Sequence, residues 1–139
     1  MNILFLCSSN IFRSQMAEAF FNRFSKEHRA ESAALVKPQE KMHALIIRAM
    51  KEEGVDISQN KSKKLQEEML RKADVVVFMN KNLTCFLDSL KPNLKLRAKI
   101  EFWDIPDVIA KETDEHLYSE FVKSREIIKE KVSNLLREI

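Results

Sequence analysis

The residues of this chain best fitted to chemistry stand together near its start: Cys7-Ser8-Ser9-Asn10-Ile11-Phe12-Arg13-Ser14. A cysteine, an arginine six positions on and a serine directly after it make a coherent oxyanion site. A thiolate is a strong nucleophile, and the consecutive backbone N–H groups of residues 8–13 can curl around an anion. A helix beginning directly afterwards adds its positive end to that field, which favours the thiolate over the thiol. Arg13 offers a planar, two-pronged donor to two non-bridging oxygens. Ser14 can donate a hydrogen bond to the sulfur. The set suits in-line attack on phosphorus. A competing reading buries Cys7 as a small hydrophobe and leaves Arg13 as a surface charge, but it gives the polar run Ser8-Ser9-Asn10 no role.

The elements that must hold this loop are written in the hydrophobic pattern. Residues 2–6 read as a short apolar strand buried on both faces, as in a parallel sheet. A helix over 14–26 follows the loop, with Met16, Ala17, Phe20, Phe21 and Phe24 as its apolar stripe. The pattern then predicts a weaker strand over 31–36 and a helix over 40–53, with Gly54 at the left-handed position after its end. A further helix over 62–73 and a buried strand over 75–79 come next. They are followed by a helix over 80–90, a strand over 99–102, the loop Trp103-Asp104-Ile105-Pro106-Asp107 and a long helix over 114–139. This alternation predicts one α/β domain over residues 1–139: a single open, mostly parallel four-stranded sheet with helices on both faces. Ligands of such sheets bind outside the carboxyl ends of the strands, where the Cys7 loop falls.

Composition narrows the chemistry. The 139 residues contain one glycine, Gly54, where average usage would give about ten. Neither a G-x-x-x-x-G-K-[ST] phosphate loop nor a G-x-G-x-x-G fingerprint is present, so a bound phosphate must be held without glycine. A formal charge of +3 is too even for a nucleic-acid binder and suits a small anionic substrate. Two cysteines, Cys7 and Cys85, build neither a disulfide framework nor a zinc site, and His28, His43 and His116 lack ligand spacing. No metal and no cofactor is expected. Nor is a membrane span, and the apolar start reads as a strand rather than a signal peptide; the expectation is a reducing, cytoplasmic setting. Nothing in the sequence sets an oligomeric state.

The loop and the residues after it, Gln15-Met16-Ala17-Glu18-Ala19, resemble the signature of low-molecular-weight protein tyrosine phosphatases and of their relatives, the thioredoxin-coupled arsenate reductases. The resemblance extends through Gly54-Val55-Asp56-Ile57-Ser58, Ala73-Asp74-Val75-Val76-Val77-Phe78-Met79-Asn80 and Trp103-Asp104-Ile105-Pro106-Asp107. It implies that Cys7 forms a phosphocysteine, that Arg13 binds the phosphoryl group, and that Asp107 protonates the leaving oxygen and then activates water. Ser8, Ser9, Asn10, Ile11, Phe12 and Ser14 are the implied substrate-binding residues. Asp104 competes with Asp107 for the acid role, because Val108 stands where the family carries proline. Ser9 replaces a family glycine, so any left-handed backbone there falls on a serine, while Asn10 tolerates that geometry. Trp103 is either a wall of the site or a buried anchor of its loop.

Three activities compete. The leading one is a cysteine-dependent phosphomonoester hydrolase, a protein tyrosine phosphatase whose substrate is a phosphorylated protein or a small aryl phosphate. The second is arsenate reduction using Cys7 and Cys85 with an external thiol or thioredoxin. Gln15 resembles the reductases, but Ile11 resembles the phosphatases, and two cysteines cannot run the family's three-cysteine relay. The third is a non-catalytic phosphate-binding module, suggested by Ser9 and Val108. Cys85 is either a packed thiol or an oxidation partner for Cys7. The run Lys61-Ser62-Lys63-Lys64 is a solvated charge run or a phosphate-steering patch.

Overall fold

The computed structural model describes residues 1–39, 41–81, 97–108 and 113–139. Strand β1 spans Asn2–Cys7, β2 Arg29–Ala34, β3 Val75–Phe78 and β4 Lys99–Phe102. All pairings are parallel and the spatial order is β2-β1-β3-β4. Ile3 therefore lies between Ala30 on one side and Val75 on the other. Because both faces of β1 are covered, every residue from Ile3 to Cys7 is buried. Alternation splits them: Ile3, Phe5 and Cys7 join one core cluster, Leu4 and Leu6 the other.

The helices sort by face in the same way. Helices α1 (Arg13–Phe24), α2 (Ala44–Lys51) and the long C-terminal α4 (Asp114–Glu138) contribute Phe20, Phe21, Ile46, Phe121 and Ile128 to the first cluster. Helix α3 (Glu67–Lys72) supplies Leu70 to the second. Phe5, on the central strand, is fully buried, with Phe21 and Trp103 at ring-centroid distances of 6.2 and 5.4 Å. Such aromatic contacts add to simple area burial.

Two polar devices close this fold. Arg125 on α4 is buried, donates to the Ala49 carbonyl at 2.9 Å, and meets Glu52, Glu53 and Glu126 within 3.5 Å. It ties the end of α2 to α4, and the same guanidinium holds the Glu126 carboxyl below its usual range. At the sheet edge, Asn22 exchanges two hydrogen bonds with the Ala30 main chain, satisfying that residue's groups on the edge strand. Glu18 sits beside it; burial pushes its carboxyl up, against the pull of Lys63 and Ser32.

The four-stranded parallel sheet with helices on both faces matches the expectation, while several boundaries differ. Strand β2 begins two residues earlier than predicted. Helix α2 starts at Ala44 rather than at residue 40, because His43 caps it: its Nδ1 accepts the Leu45 N–H at 3.0 Å. Gly54, at φ 76°, follows its last turn. The helix predicted over 62–73 shrinks to α3, because residues 63–65 run extended and pair with Ala34. Most of the helix expected over 80–90 lies outside the described residues. Truncating the centre of the core, Phe5→Ala, is expected to lower the unfolding free energy by roughly 3–5 kcal/mol, read from urea midpoints.

Candidate active site

The chain leaves β1 toward β2 on one side and later lays β3 on the other, so the crevice between these two departures opens at the end of β1. Cys7 is the last residue of that strand. Main-chain bonds steady the exit: Leu35 N–H donates to the Cys7 carbonyl at 2.9 Å, and Val36 N–H to that of Ser8 at 3.1 Å. Residues 8–12 then turn directly into α1. Phe12, the residue before α1, supplies no side-chain cap, and the first turn holds no acidic residue. The positive end of α1 therefore faces the sulfur's side of the loop without a competing carboxylate.

The sulfur sits in a directed network. Ser14 Oγ lies 2.8 Å from Cys7 Sγ, and the Asn10 N–H donates to the sulfur at 3.3 Å. Asn10 is fully buried at φ 56°, so the left-handed backbone of the loop falls on Asn10 and not on Ser9. Its side-chain orientation is fixed from outside. The Lys63 N–H can only donate, and it reaches Asn10 Oδ1 at 3.0 Å. Asn10 Nδ2 must then face the other way, where it donates to Ser14 Oγ at 2.8 Å. With that oxygen already accepting, the Ser14 hydroxyl proton is free to point at the sulfur, which is the direction a thiolate requires.

A cavity of about 290 Å³ opens above Cys7. Ser8, Ser9, Asn10, Ile11, Phe12 and Arg13 line it from the loop, while Ser14 is buried behind the sulfur. Arg13 is only 4% exposed, and its Nη1 donates to the Ile105 carbonyl at 2.9 Å. The segment after β4 is drawn across the end of β3 by bonds from Trp103 N–H to the Phe78 carbonyl and from Ile105 N–H to that of Met79. This course brings Asp107 to the cavity. Asp104 is not among its lining residues; it lies 4.0 Å from Lys81 at the exposed surface. Trp103 is a buried anchor of this segment against Phe5 and does not line the cavity.

Phe12 both lines the cavity and packs edge-on against Phe121 at 5.0 Å. Gln39, His43, Ile46, Val108, Leu117 and Phe121 complete the lining and were not singled out as site residues from the sequence. For Gln39 and His43 a signal existed. They follow β2, whose carboxyl end must lie beside that of β1 in a parallel sheet. Residues 61–63, read as a charge run, act here through other groups: Ser62 Oγ donates to the Ser9 carbonyl at 2.7 Å, and the Lys63 main chain holds Asn10. Cys85 lies outside the described residues. Among those described, no cluster of three or more His, Cys, Asp or Glu side chains could hold a metal, and no helix is long and apolar enough to cross a membrane.

Fold and site together define a parallel α/β domain with a cysteine and an arginine around a loop and cavity at the end of its first strand. The chain belongs to the low molecular weight phosphotyrosine protein phosphatase family, whose pattern matches residues 2–139. Its structure resembles that of a low molecular weight protein tyrosine phosphatase from T. tengcongensis, with a TM-score of 0.86 and 28% identity, covering 100% of this chain and 99% of that one. In sequence it is 34% identical over 114 residues to an arsenate reductase of Brevibacillus brevis, covering 81% of each chain. It is 31% identical over 132 residues to an arsenate reductase of Staphylococcus xylosus, covering 95% of this chain and 93% of the other.

Asn10 carries both a left-handed backbone and three side-chain hydrogen bonds, and two variants separate these contributions. Asn10→Gly keeps the turn and loses the bonds, with an expected loss of about 1–3 kcal/mol in urea unfolding. Asn10→Ala should lose roughly 1 kcal/mol more, because its Cβ opposes positive φ. Equal stability of the two variants would place the strain elsewhere.

Proposed function

We propose that this protein is a cysteine-dependent phosphomonoester hydrolase acting on phosphotyrosine in proteins or on small aryl phosphates. The observation that carries this reading is the sulfur of Cys7, held by Ser14 Oγ and the Asn10 N–H at the floor of a cavity that Arg13 and Asp107 also line. In this reading Ser8, Ser9 and Asn10, with the start of α1, receive the phosphoryl oxygens, and Arg13 grips two of them. Ile11, Phe12 and Phe121 form apolar walls suited to an aryl group. Cys7 attacks phosphorus opposite the leaving oxygen; the S–P bond forms as the ester P–O bond breaks. Asp107 gives its proton to the departing oxygen, then takes one from the water that attacks phosphorus. The S–P electrons return to sulfur, where Ser14 and the Asn10 amide receive the charge, and inorganic phosphate leaves. A thiol doing this work must stay reduced, which fits the cytoplasm.

Aryl phosphate turnover without added metal tests the reading. Cys7→Ser is expected to abolish it, and Asp107→Asn to lower kcat by about 10²–10⁴-fold for a poor leaving group. Asp104→Asn should stay near wild type. Full turnover by Cys7→Ser overturns the proposal, and a larger loss from Asp104→Asn reassigns the acid.

The identity to arsenate reductases supports testing a second reading. There Cys7 attacks arsenate with loss of water, and the thiolate of Cys85 then attacks the Cys7 sulfur. The S–S bond forms as arsenite departs with the electron pair, and an external thiol or thioredoxin reduces the disulfide. This reading requires thiol-dependent arsenite formation that Cys85→Ser abolishes; undiminished reduction by that variant excludes it.

A further inference from the structure

Gln15 follows Ser14 on α1, is 1% exposed, and does not line the cavity. Its Nε2 lies 3.1 Å from the Asn10 carbonyl, 3.3 Å from Asn10 Oδ1 and 3.3 Å from the Lys61 carbonyl. Its Oε1 accepts from Asn60 Nδ2 at 3.2 Å. The two amide protons are thus shared among three oxygens, two of them on the residue that turns the loop. Restraining both the main-chain and the side-chain carbonyl of Asn10 does two things. It holds a left-handed peptide that an asparagine adopts less readily than glycine. It also keeps Oδ1 turned toward Lys63, so that Nδ2 faces Ser14 and the hydroxyl proton of Ser14 is left for the sulfur.

Across the loop, the anchoring segment is itself secured. The Lys63 carbonyl accepts the Ala34 N–H at 2.7 Å, and Leu65 N–H returns a bond to the Ala34 carbonyl at 3.0 Å. Residues 63–65 are therefore seated on the end of β2, and Gln15 links Asn60 and Lys61, just before them, to Asn10. We propose that Gln15 is a positioning residue for the Cys7 thiolate, acting through Asn10 and Ser14 by clamping the oxyanion loop to the 60–63 segment. The inference rests on the reading of Cys7 as the reactive thiolate that the proposed hydrolysis also uses, and its test does not require turnover.

The experiment is the rate at which iodoacetamide alkylates Cys7 at pH 6 and pH 9, read on the Cys7 peptide by mass spectrometry so that Cys85 does not interfere. Gln15→Met preserves side-chain size and removes every donor. At pH 6 its rate should fall about five-fold or more; at pH 9 it should match wild type. Asn60→Ala removes one partner of Gln15 from outside the core and should give a change of about two-fold in the same direction. It carries the test if Gln15→Met does not fold. A ratio of the two rates unchanged in the folded variant, even with a lowered thermal midpoint, would overturn the proposal, since packing alone moves stability without moving thiolate reactivity. Hydrolysis by the wild-type enzyme is scored separately. Absent turnover with a Gln15-dependent ratio rejects the phosphatase reading and upholds this one, whereas turnover with an unchanged ratio does the reverse.

Discussion

The loop after β1 must reverse direction within a few residues of the strand it leaves, and it does so without glycine, so the turn rests on Asn10 at φ 56°. That constraint propagates outward. A left-handed asparagine is kept only where its surroundings over-determine it. Here Ser14, Gln15 and the Lys63 main chain each hold a different atom of its side chain or carbonyl. The same contacts orient the amide and leave the Ser14 proton for the sulfur. The left-handed turn at Asn10 and the hydrogen bonds at the Cys7 sulfur thus have one shared structural cause.

The sheet explains why these partners are available. In the order β2-β1-β3-β4 the ends of three strands converge on one crevice. From the β2 side come Gln39 and His43, and residues 63–65 pair with the end of that strand. From β3 and β4 comes the segment that carries Asp107 to the cavity and lends the Ile105 carbonyl to Arg13. Burial of both faces of β1 fixes the direction of Cys7, because a slip of one residue would turn its sulfur to the opposite core.

How much of this was legible follows from the range of each interaction. The four strands of the parallel sheet and the place of the loop between β1 and α1 are local or periodic features, and the sheet matches the expectation apart from the two-residue shift of β2. Asn10 was named as the loop's left-handed residue on intrinsic tolerance alone. The boundary errors came from side chains and strand edges that override pattern: His43 ends the reach of α2 toward residue 40, and Ala34 pulls residues 63–65 out of a helix. The clamp from Gln15 to Asn60 and Lys61 spans 45 and 46 positions of sequence, and no spacing rule encodes it. Asp107 and Asp104 stand three residues apart, so only the path of the chain across β3 distinguishes them.

Family and sequence relatives name two activities, and the two reactions make related demands on a site of this kind. Phosphate and arsenate are tetrahedral oxyanions of similar charge, and in the proposed reading the loop, Arg13 and the start of α1 address the oxygens rather than the central atom. The first step is shared: a thiolate attacks and a Cys7–heteroatom bond forms. The paths divide at the next nucleophile. Water aimed at the heteroatom completes a hydrolysis and needs a base placed as Asp107 is placed, on the cavity wall. A thiol aimed at the Cys7 sulfur completes a reduction and needs a second cysteine that reaches it. Ser14 and the Asn10 amide favour departure from sulfur as a thiolate, which serves the first path directly; in the second the sulfur leaves the step as half of a disulfide and gains nothing from those donors.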